Sequence, residues 1–141
     1  MIASPIVSEL IKTYEPFRSP AQNGVIGWGH RIVGEDEGVN FIGKISLAKA
    51  DEVLDRDIYS ANYHFNRVLN RLPVSFTQHE YDALVSLYMD YRIMESSFLL
   101  KAAMQKDYPK IEKEFLKWAA VAKPDRRKAE SRLFITGSLT E

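Results

Sequence analysis

The sequence predicts an α+β protein that is mostly helical, with a small N-terminal lobe containing β-structure and a larger C-terminal lobe of helices. Two observations carry this prediction. Six of the seven glycines lie between residues 24 and 43, whereas the chain after Ile45 repeats apolar residues at helical spacing. A long helix is expected to join the lobes, and a cleft between two lobes is a natural ligand site. At 141 residues, we expect a single domain over residues 1–141.

Composition excludes several classes of protein. The 45% hydrophobic and 27% charged content is typical of a globular chain and not of a disordered one. A net charge of +0 argues against a nucleic-acid-binding protein. The absence of cysteine excludes disulfides, a thiolate nucleophile and a cysteine-based zinc site. No apolar run approaches the ~20 residues that cross a bilayer, and the first ten residues lack the features of a signal peptide. We therefore expect a protein made in the cytoplasm that does not span a membrane.

The first segment predicts a short amphipathic helix. Apolar residues between Ile6 and Tyr14 recur three or four positions apart, with Ser4 as the N-cap and Pro5 at the first helical position. Proline at position 16 ends the helix, so Glu15 lies at its C-terminus. Because the helix dipole disfavours a negative charge there, this position favours the protonated form of the Glu15 carboxyl.

The glycine-rich segment predicts β-structure. Gln22-Asn23-Gly24 is a turn signal, and residues 25–33 indicate a glycine-interrupted strand or hairpin. The acidic run at 35–37 predicts an exposed turn.

Helices are predicted for the remainder of the chain. Ser46 can cap a long helix that extends to about Arg71, and Pro73 breaks it. Thr77-Gln78-His79-Glu80 is a capping box that predicts the start of the next helix. Three shorter helices are predicted over residues 96–103, 108–120 and 125–134.

Six segments spread over most of the chain then carry a family resemblance. They are Leu10-Ile11-Lys12-Thr13-Tyr14-Glu15, Ile26-Gly27-Trp28-Gly29-His30, residues 45–58, residues 76–87, Glu114-Phe115-Leu116-Lys117-Trp118 and Arg126-Arg127-Lys128-Ala129-Glu130. In this order they resemble the phage-type lysozymes or endolysins of glycoside hydrolase family 24. The resemblance implies a lysozyme-like two-lobe fold that cleaves the β-1,4 bond between N-acetylmuramic acid and N-acetylglucosamine in peptidoglycan. It places Glu15 at the catalytic glutamate, as general acid, and implies no metal or cofactor.

The chain departs from the family pattern directly after Glu15. The family has an Asp or Cys and then a Thr before its Ile-Gly-aromatic-Gly-His motif. Here Val25 stands in the place of the Thr, and no carboxylate lies between Glu15 and Val25. Hydrolysis of a glycosidic bond usually needs a second group beside the acid, to position water or attack the sugar.

Three explanations of this departure stay open. Another carboxylate can substitute, and Asp90 is the first candidate because it follows Tyr88-Met89, where the family has an Asn or Gln facing the cleft. The acidic turn at 35–37 is a second source of a carboxylate. Alternatively, Glu15 acts alone, as in lytic transglycosylases. In the third explanation catalysis is lost, and the cleft binds glycan or a protein partner.

Three residues of the small lobe are predicted to contact substrate. Trp28 is an aromatic near Glu15 that can stack on a sugar ring. Gly29 and Asn23 flank it in the same region.

Other conspicuous side chains have structural interpretations. In the family pattern His30 pairs with an acid of the long helix, for which Asp51, Asp55 and Asp57 are candidates. Trp118 lies at helical spacing from Phe115, as expected of core residues. Arg126 and Arg127 form either an exposed basic patch or an anchor for the last helix.

The neutral net charge divides into two opposed parts. Residues 1–100 carry a balance of −4 and residues 101–141 a balance of +4, so the helical lobe could face an anionic cell wall. The expected partner is the peptidoglycan glycan strand, bound by a monomer. Without a signal peptide, delivery to the wall requires a holin or another device, as for a bacteriolytic endolysin or a secreted antibacterial effector.

Overall fold

The computed structural model describes residues 1–33, 43–92, 94 and 97–139. The predicted acidic turn at 35–37 lies outside these residues. The elements are α1 (Pro5–Tyr14), β1 (Arg18–Gln22), β2 (Val25–Gly27), β3 (His30–Arg31), α2 (Leu47–Leu69), α3 (Gln78–Asp90), α4 (Phe98–Met104), α5 (Tyr108–Val121) and α6 (Pro124–Thr136). The predicted α+β class, mostly helical with a small β-containing lobe, is confirmed.

The small lobe is a three-stranded antiparallel sheet in the order β1-β2-β3. The predicted turn joins β1 to β2, with Asn23 at φ 53° and Gly24 at φ 75°. Two successive residues at positive φ are typical of the two-residue hairpin turn that Asn-Gly favours. Ile26 of β2 is fully buried against Val53, so the sheet packs directly on the long helix α2.

The main core lies in the helical lobe, around α3. Nine consecutive residues of α3, from Glu80 to Tyr88, are buried, because α1, α2 and α6 all pack against this helix. Phe65, Leu84, Phe115 and Phe134 are among the side chains that fill the core. Helix α1, close to the N-terminus, packs in the same lobe and ends directly before the first strand of the sheet.

The helix starts follow the predicted caps. The Ser4 hydroxyl accepts the Ile6 N–H, and the Ser46 hydroxyl accepts the Lys49 N–H. The capping box at the start of α3 is present, with Glu80 accepting the Thr77 N–H at 2.9 Å. None of the helices in the described part of the chain combines the length and apolar character needed to cross a membrane.

Candidate active site

A cleft of about 520 Å³ separates the sheet from the helical lobe. It is lined by residues of all three strands and of α2, together with the ends of α1 and α3 and the start of α6. Cations outnumber carboxylates along it: Arg18, Arg31, Arg92, Lys123 and Arg126 against Glu15, Asp57 and Asp90.

Glu15 lies at the cleft, directly after the last turn of α1. Its backbone N–H donates to the Ile11 carbonyl at 2.8 Å, which fixes the residue as the helix C-cap. Only 5% of the residue is exposed. Gly29, at φ +94°, lies against it, and a Cβ on Gly29 would come within 3.3 Å of Oε2. A glycine at this position thus allows the small lobe to approach the carboxylate closely.

Three cations surround the Glu15 carboxylate. Its Oε1 is 2.6 Å from Lys123 Nζ and 2.9 Å from Arg126 Nη1, and its Oε2 is 3.7 Å from Arg18 Nη1. Burial by itself raises the pKa of Glu15, but the hydrogen bond and charge of Lys123 and the charge of Arg126 outweigh it. The pKa of Glu15 therefore lies below its ordinary value.

The prediction that the helix terminus keeps Glu15 protonated is wrong. The dipole of α1 is a weak partial charge, worth about 0.3–1 kcal/mol near a surface, whereas the ion pairs are full charges at contact distance in a buried site. Both cations come from the other end of the chain, more than a hundred residues away.

Asp90 is the last residue of α3 and faces the same cations. Its Oδ2 lies 3.2 Å from Lys123 Nζ, 3.2 Å from Arg126 Nη1 and 3.1 Å from Arg127 Nη2. Burial tends to raise the pKa of Asp90, and these three positive charges lower it to a value below the usual one. Like Glu15, Asp90 is therefore held as a carboxylate.

The shared lysine limits the distance between the two carboxylates. Because the Lys123 ammonium is 2.6 Å from Glu15 Oε1 and 3.2 Å from Asp90 Oδ2, these oxygens are at most about 6 Å apart. This upper bound between one oxygen of each carboxylate lies below the ~6.5–9.5 Å that separates the carboxyl groups of inverting glycosidases. In the structure the ammonium is bonded to both oxygens at once.

Arg126 is held by buried partners behind the site. The Arg126 Nη2 donates to the Ser86 carbonyl at 2.8 Å, and the Arg126 Nε lies 3.5 Å from Glu130 Oε2. Glu130 also accepts from the Ser86 hydroxyl and pairs with Arg127 at 2.6 Å. Arg126, Arg127 and Glu130 are each at most 3% exposed, so of the two interpretations of the arginine pair the anchor is correct and the exposed patch is wrong.

The predicted substrate-contacting residues do not all reach the cleft. Trp28 and Gly29 line it. Trp28 is held from behind, since its Nε1 donates to Asp51 at 3.0 Å and its ring packs on Phe17 at a centroid distance of 5.1 Å. Asn23 lies at the exposed tip of the β1–β2 turn and is not among the residues lining the cleft, so its contact with substrate stays a prediction without support from this geometry.

His30 and Phe115 have the structural roles predicted for them, whereas Trp118 is only partly in the core. His30 Nδ1 lies 2.8 Å from Asp57 of α2, which selects one of the three candidate acids. Phe115 is fully buried, whereas Trp118 is half-buried and stacks on Tyr91 at 4.9 Å.

Two residues of this site were missed by sequence reasoning as partners of Glu15. Arg126 had a signal, since it belongs to the Arg-Arg-x-x-Glu segment that carries the family resemblance. Lys123 had none, because its position depends on a left-handed backbone at φ 54° directly before Pro124.

Comparisons with known proteins agree with this architecture. Over its whole length the chain is similar to an endolysin from Escherichia coli O157:H7 phage FAHEc1, with 20% identity, a TM-score of 0.82 and 98% of that chain covered. Over 94% of its length it is similar to the muramidase domain of SpmX from Asticcacaulis excentricus, with 22% identity, a TM-score of 0.76 and 97% coverage of that chain.

A mutant of P22 lysozyme matches 96% of the chain at 25% identity and a TM-score of 0.68, with 99% of its own length covered. No match was found among curated protein sequences. The model of the family described as phage lysozyme matches residues 12–130, which is most of the chain and includes Glu15, the sheet and the arginines behind the cleft. The chain therefore belongs to the phage lysozyme family.

Proposed function

We propose that the protein is a muramidase that hydrolyses the β-1,4 bond between N-acetylmuramic acid and N-acetylglucosamine, with Glu15 as general acid. The observation that carries the proposal is the position of Glu15, a buried carboxyl on the wall of the interlobe cleft in a chain of the phage lysozyme family. Its substrate is the peptidoglycan strand, which the protein meets after release or delivery to the cell wall.

In this reaction the Glu15 carboxyl donates its proton to the glycosidic oxygen as the bond to the anomeric carbon breaks. A water molecule forms the new bond to the anomeric carbon and leaves its hydroxyl there. The remaining proton of this water passes to a carboxylate or to solvent. The step needs the glycosidic oxygen within about 3 Å of Glu15, which the absence of a side chain at Gly29 favours.

We propose Asp90 as the second group of the reaction. Among the described residues, the cleft is lined by three carboxylates, and Asp57 already pairs with His30 at 2.8 Å. Asp90 is the one that lies beside Glu15. If Glu15 instead acts alone, the sugar's own hydroxyl attacks and the product is an anhydro sugar, as in a lytic transglycosylase.

One observation favours a second candidate function, a lysozyme-fold protein that binds glycan without cleaving it. The cations around Glu15 lower its pKa, which disfavours the protonated form that a general acid needs. Under this alternative the cleft retains its shape and aromatic lining, and Glu15 serves to join the end of α1 to the start of α6 through Lys123 and Arg126.

The test is clearance of a peptidoglycan suspension by wild type and by Glu15→Gln, with Glu9→Gln as a matched control on the exposed face of the same helix. We expect wild type and Glu9→Gln to clear the suspension and Glu15→Gln to lose at least ~100-fold in rate. Equal clearance by all three proteins would exclude Glu15 as the acid.

The products then separate the alternatives. Mass spectrometry of soluble muropeptides distinguishes reducing ends, which hydrolysis gives, from anhydro ends, which transglycosylation gives. Co-sedimentation of the protein with insoluble peptidoglycan, without any soluble product, would support the binding function and contradict the muramidase.

A further inference from the structure

Lys123 occupies an unusual position at the cleft. Its backbone has φ 54° and ψ 56° at the N-cap of α6, a left-handed conformation that few non-glycine residues adopt. The next residue is Pro124, which further disfavours helical conformations of the residue before it. Strained backbone of this kind persists where surrounding contacts hold it, and often marks a functional position. At Lys123 these contacts are the hydrogen bond from the Arg127 N–H to the Lys123 carbonyl, at 3.1 Å, and the ion pairs of Nζ with Glu15 and Asp90.

The two cations on Glu15 Oε1 differ in their freedom to move. Arg126 is 3% exposed and is held by the Ser86 carbonyl and by Glu130. The Lys123 side chain is 39% exposed, and within the described part of the chain its polar partners are the carboxylates of Glu15 and Asp90. A glycosidic oxygen approaching Glu15 Oε1 can therefore replace the ammonium of Lys123, whereas it cannot replace Arg126 without disrupting the buried partners of that arginine.

The other charges that face Glu15 cannot substitute for this lysine. Arg18 of β1 lies on the Oε2 side at the longer distance of 3.7 Å, and Asp90 of α3 is itself negative. On the remaining side the small lobe presents the backbone of Gly29. The position of Lys123 therefore decides whether Glu15 carries one close cation or two on Oε1.

We propose that Lys123 is a positioning residue that holds Glu15 as a carboxylate at rest, and that a bound glycan strand displaces its ammonium so that Glu15 takes up the proton it donates. The inference rests on the proposed muramidase function and describes what controls the protonation of its general acid, Glu15. Glu15 gains one proton from solvent as the ammonium leaves and gives it to the glycosidic oxygen. The attacking water returns one proton, so the cycle balances.

The kinetic test compares the pH profiles of kcat/KM and kcat on soluble, uncrosslinked peptidoglycan strands. The first profile reports groups of the free enzyme and the second those of the complex. Because activity falls as Glu15 loses its proton, the alkaline limb of kcat in wild type should lie at higher pH than that of kcat/KM. In Lys123→Met the limb of kcat/KM should move up by about 1 pH unit or more and coincide with that of kcat.

Two variants control this experiment. Lys123→Arg keeps the positive charge and should keep the limb of kcat/KM below that of kcat. Lys117→Met removes an exposed lysine of α5 that pairs with Glu114 and should match wild type. Coincident limbs in wild type, or a limb of kcat/KM that stays in place in Lys123→Met, would overturn the inference.

A titration that needs no catalysis separates this inference from the proposed function. The ¹³C signal of the Glu15 carboxyl gives its pKa directly, and we expect that pKa to rise in Lys123→Met and to stay unchanged in Lys117→Met. Saturation with a β-1,4-linked N-acetylglucosamine hexamer should raise the pKa of Glu15 in wild type but change it little in Lys123→Met. If these shifts occur in a protein that cleaves no peptidoglycan, the muramidase proposal fails and the role of Lys123 stands. Cleavage without them overturns the role of Lys123 alone.

Discussion

Replacement of Arg126 by methionine tests how much the buried ion pairs of the site contribute to the stability of the protein. Arg126 is 3% exposed and lies within 3.5 Å of three carboxylates, those of Glu15, Asp90 and Glu130. Methionine fills much of the same volume without the charge. The variant therefore leaves the carboxyls of Glu15, Asp90 and Glu130 with Lys123, Arg127 and, at 3.7 Å from Glu15, Arg18 as the remaining near cations.

The expected loss of stability follows from these contacts. Removal of one partner from a buried ion pair typically costs about 3–5 kcal/mol, because the remaining charge stays buried without compensation. The Ser86 carbonyl also loses its donor at 2.8 Å, but it is part of the same loss and not an addition to it. For a chain of this size, such a change lowers Tm by roughly 10–20 °C.

Thermal and urea unfolding followed by circular dichroism measure this loss. Lys128→Met on the exposed face of the same helix is the matched control and should stay within about 0.5 kcal/mol of wild type. Adding Glu15→Gln to Arg126→Met removes one of the carboxylates that lost a partner and should recover about 1–3 kcal/mol relative to additivity. A loss below about 1 kcal/mol in Arg126→Met, or strict additivity in the double variant, would refute the reasoning.

Three further predictions concern the same site. Asp90→Asn removes the proposed second group and should slow muropeptide release at least ~100-fold with the fold intact by circular dichroism; unchanged release would remove Asp90 from the mechanism. Gly29→Ala and Gly24→Ala introduce a Cβ at φ +94° and +75°, and both should lose stability, but only Gly29→Ala contacts Glu15 and should also lose about tenfold or more in release. Because the pKa of Glu15 is lowered in the folded protein, its stabilising effect is present above its ordinary value of 4.5 and is lost as the pH falls through its folded value. The difference in unfolding free energy between wild type and Glu15→Gln should therefore shrink below about pH 4.5, and a difference that stays constant down to pH 2 would contradict this assignment.

Local signals determined the elements of this protein. Ser4 with Pro5, Ser46, and the capping box at Thr77 each fix a helix start through hydrogen bonds between residues two or three positions apart. The Asn23-Gly24 turn fixes the hairpin in the same way, because its backbone conformation is a property of those two residues. Sequence motifs in their order were also sufficient to indicate the family.

The protonation state of Glu15, the candidate acid, was decided only by the tertiary structure. Helix position alone favoured a protonated Glu15, whereas the folded chain brings Lys123 and Arg126 within 2.9 Å of it from beyond a separation of one hundred residues. Arg126 could be recognised as part of a motif, but not as the partner of Glu15. Lys123 could not be found at all, since a left-handed lysine before proline runs against local preference. Electrostatic energy depends on distances between full charges in a buried site, and those distances exist only once α1 and α6 have packed together.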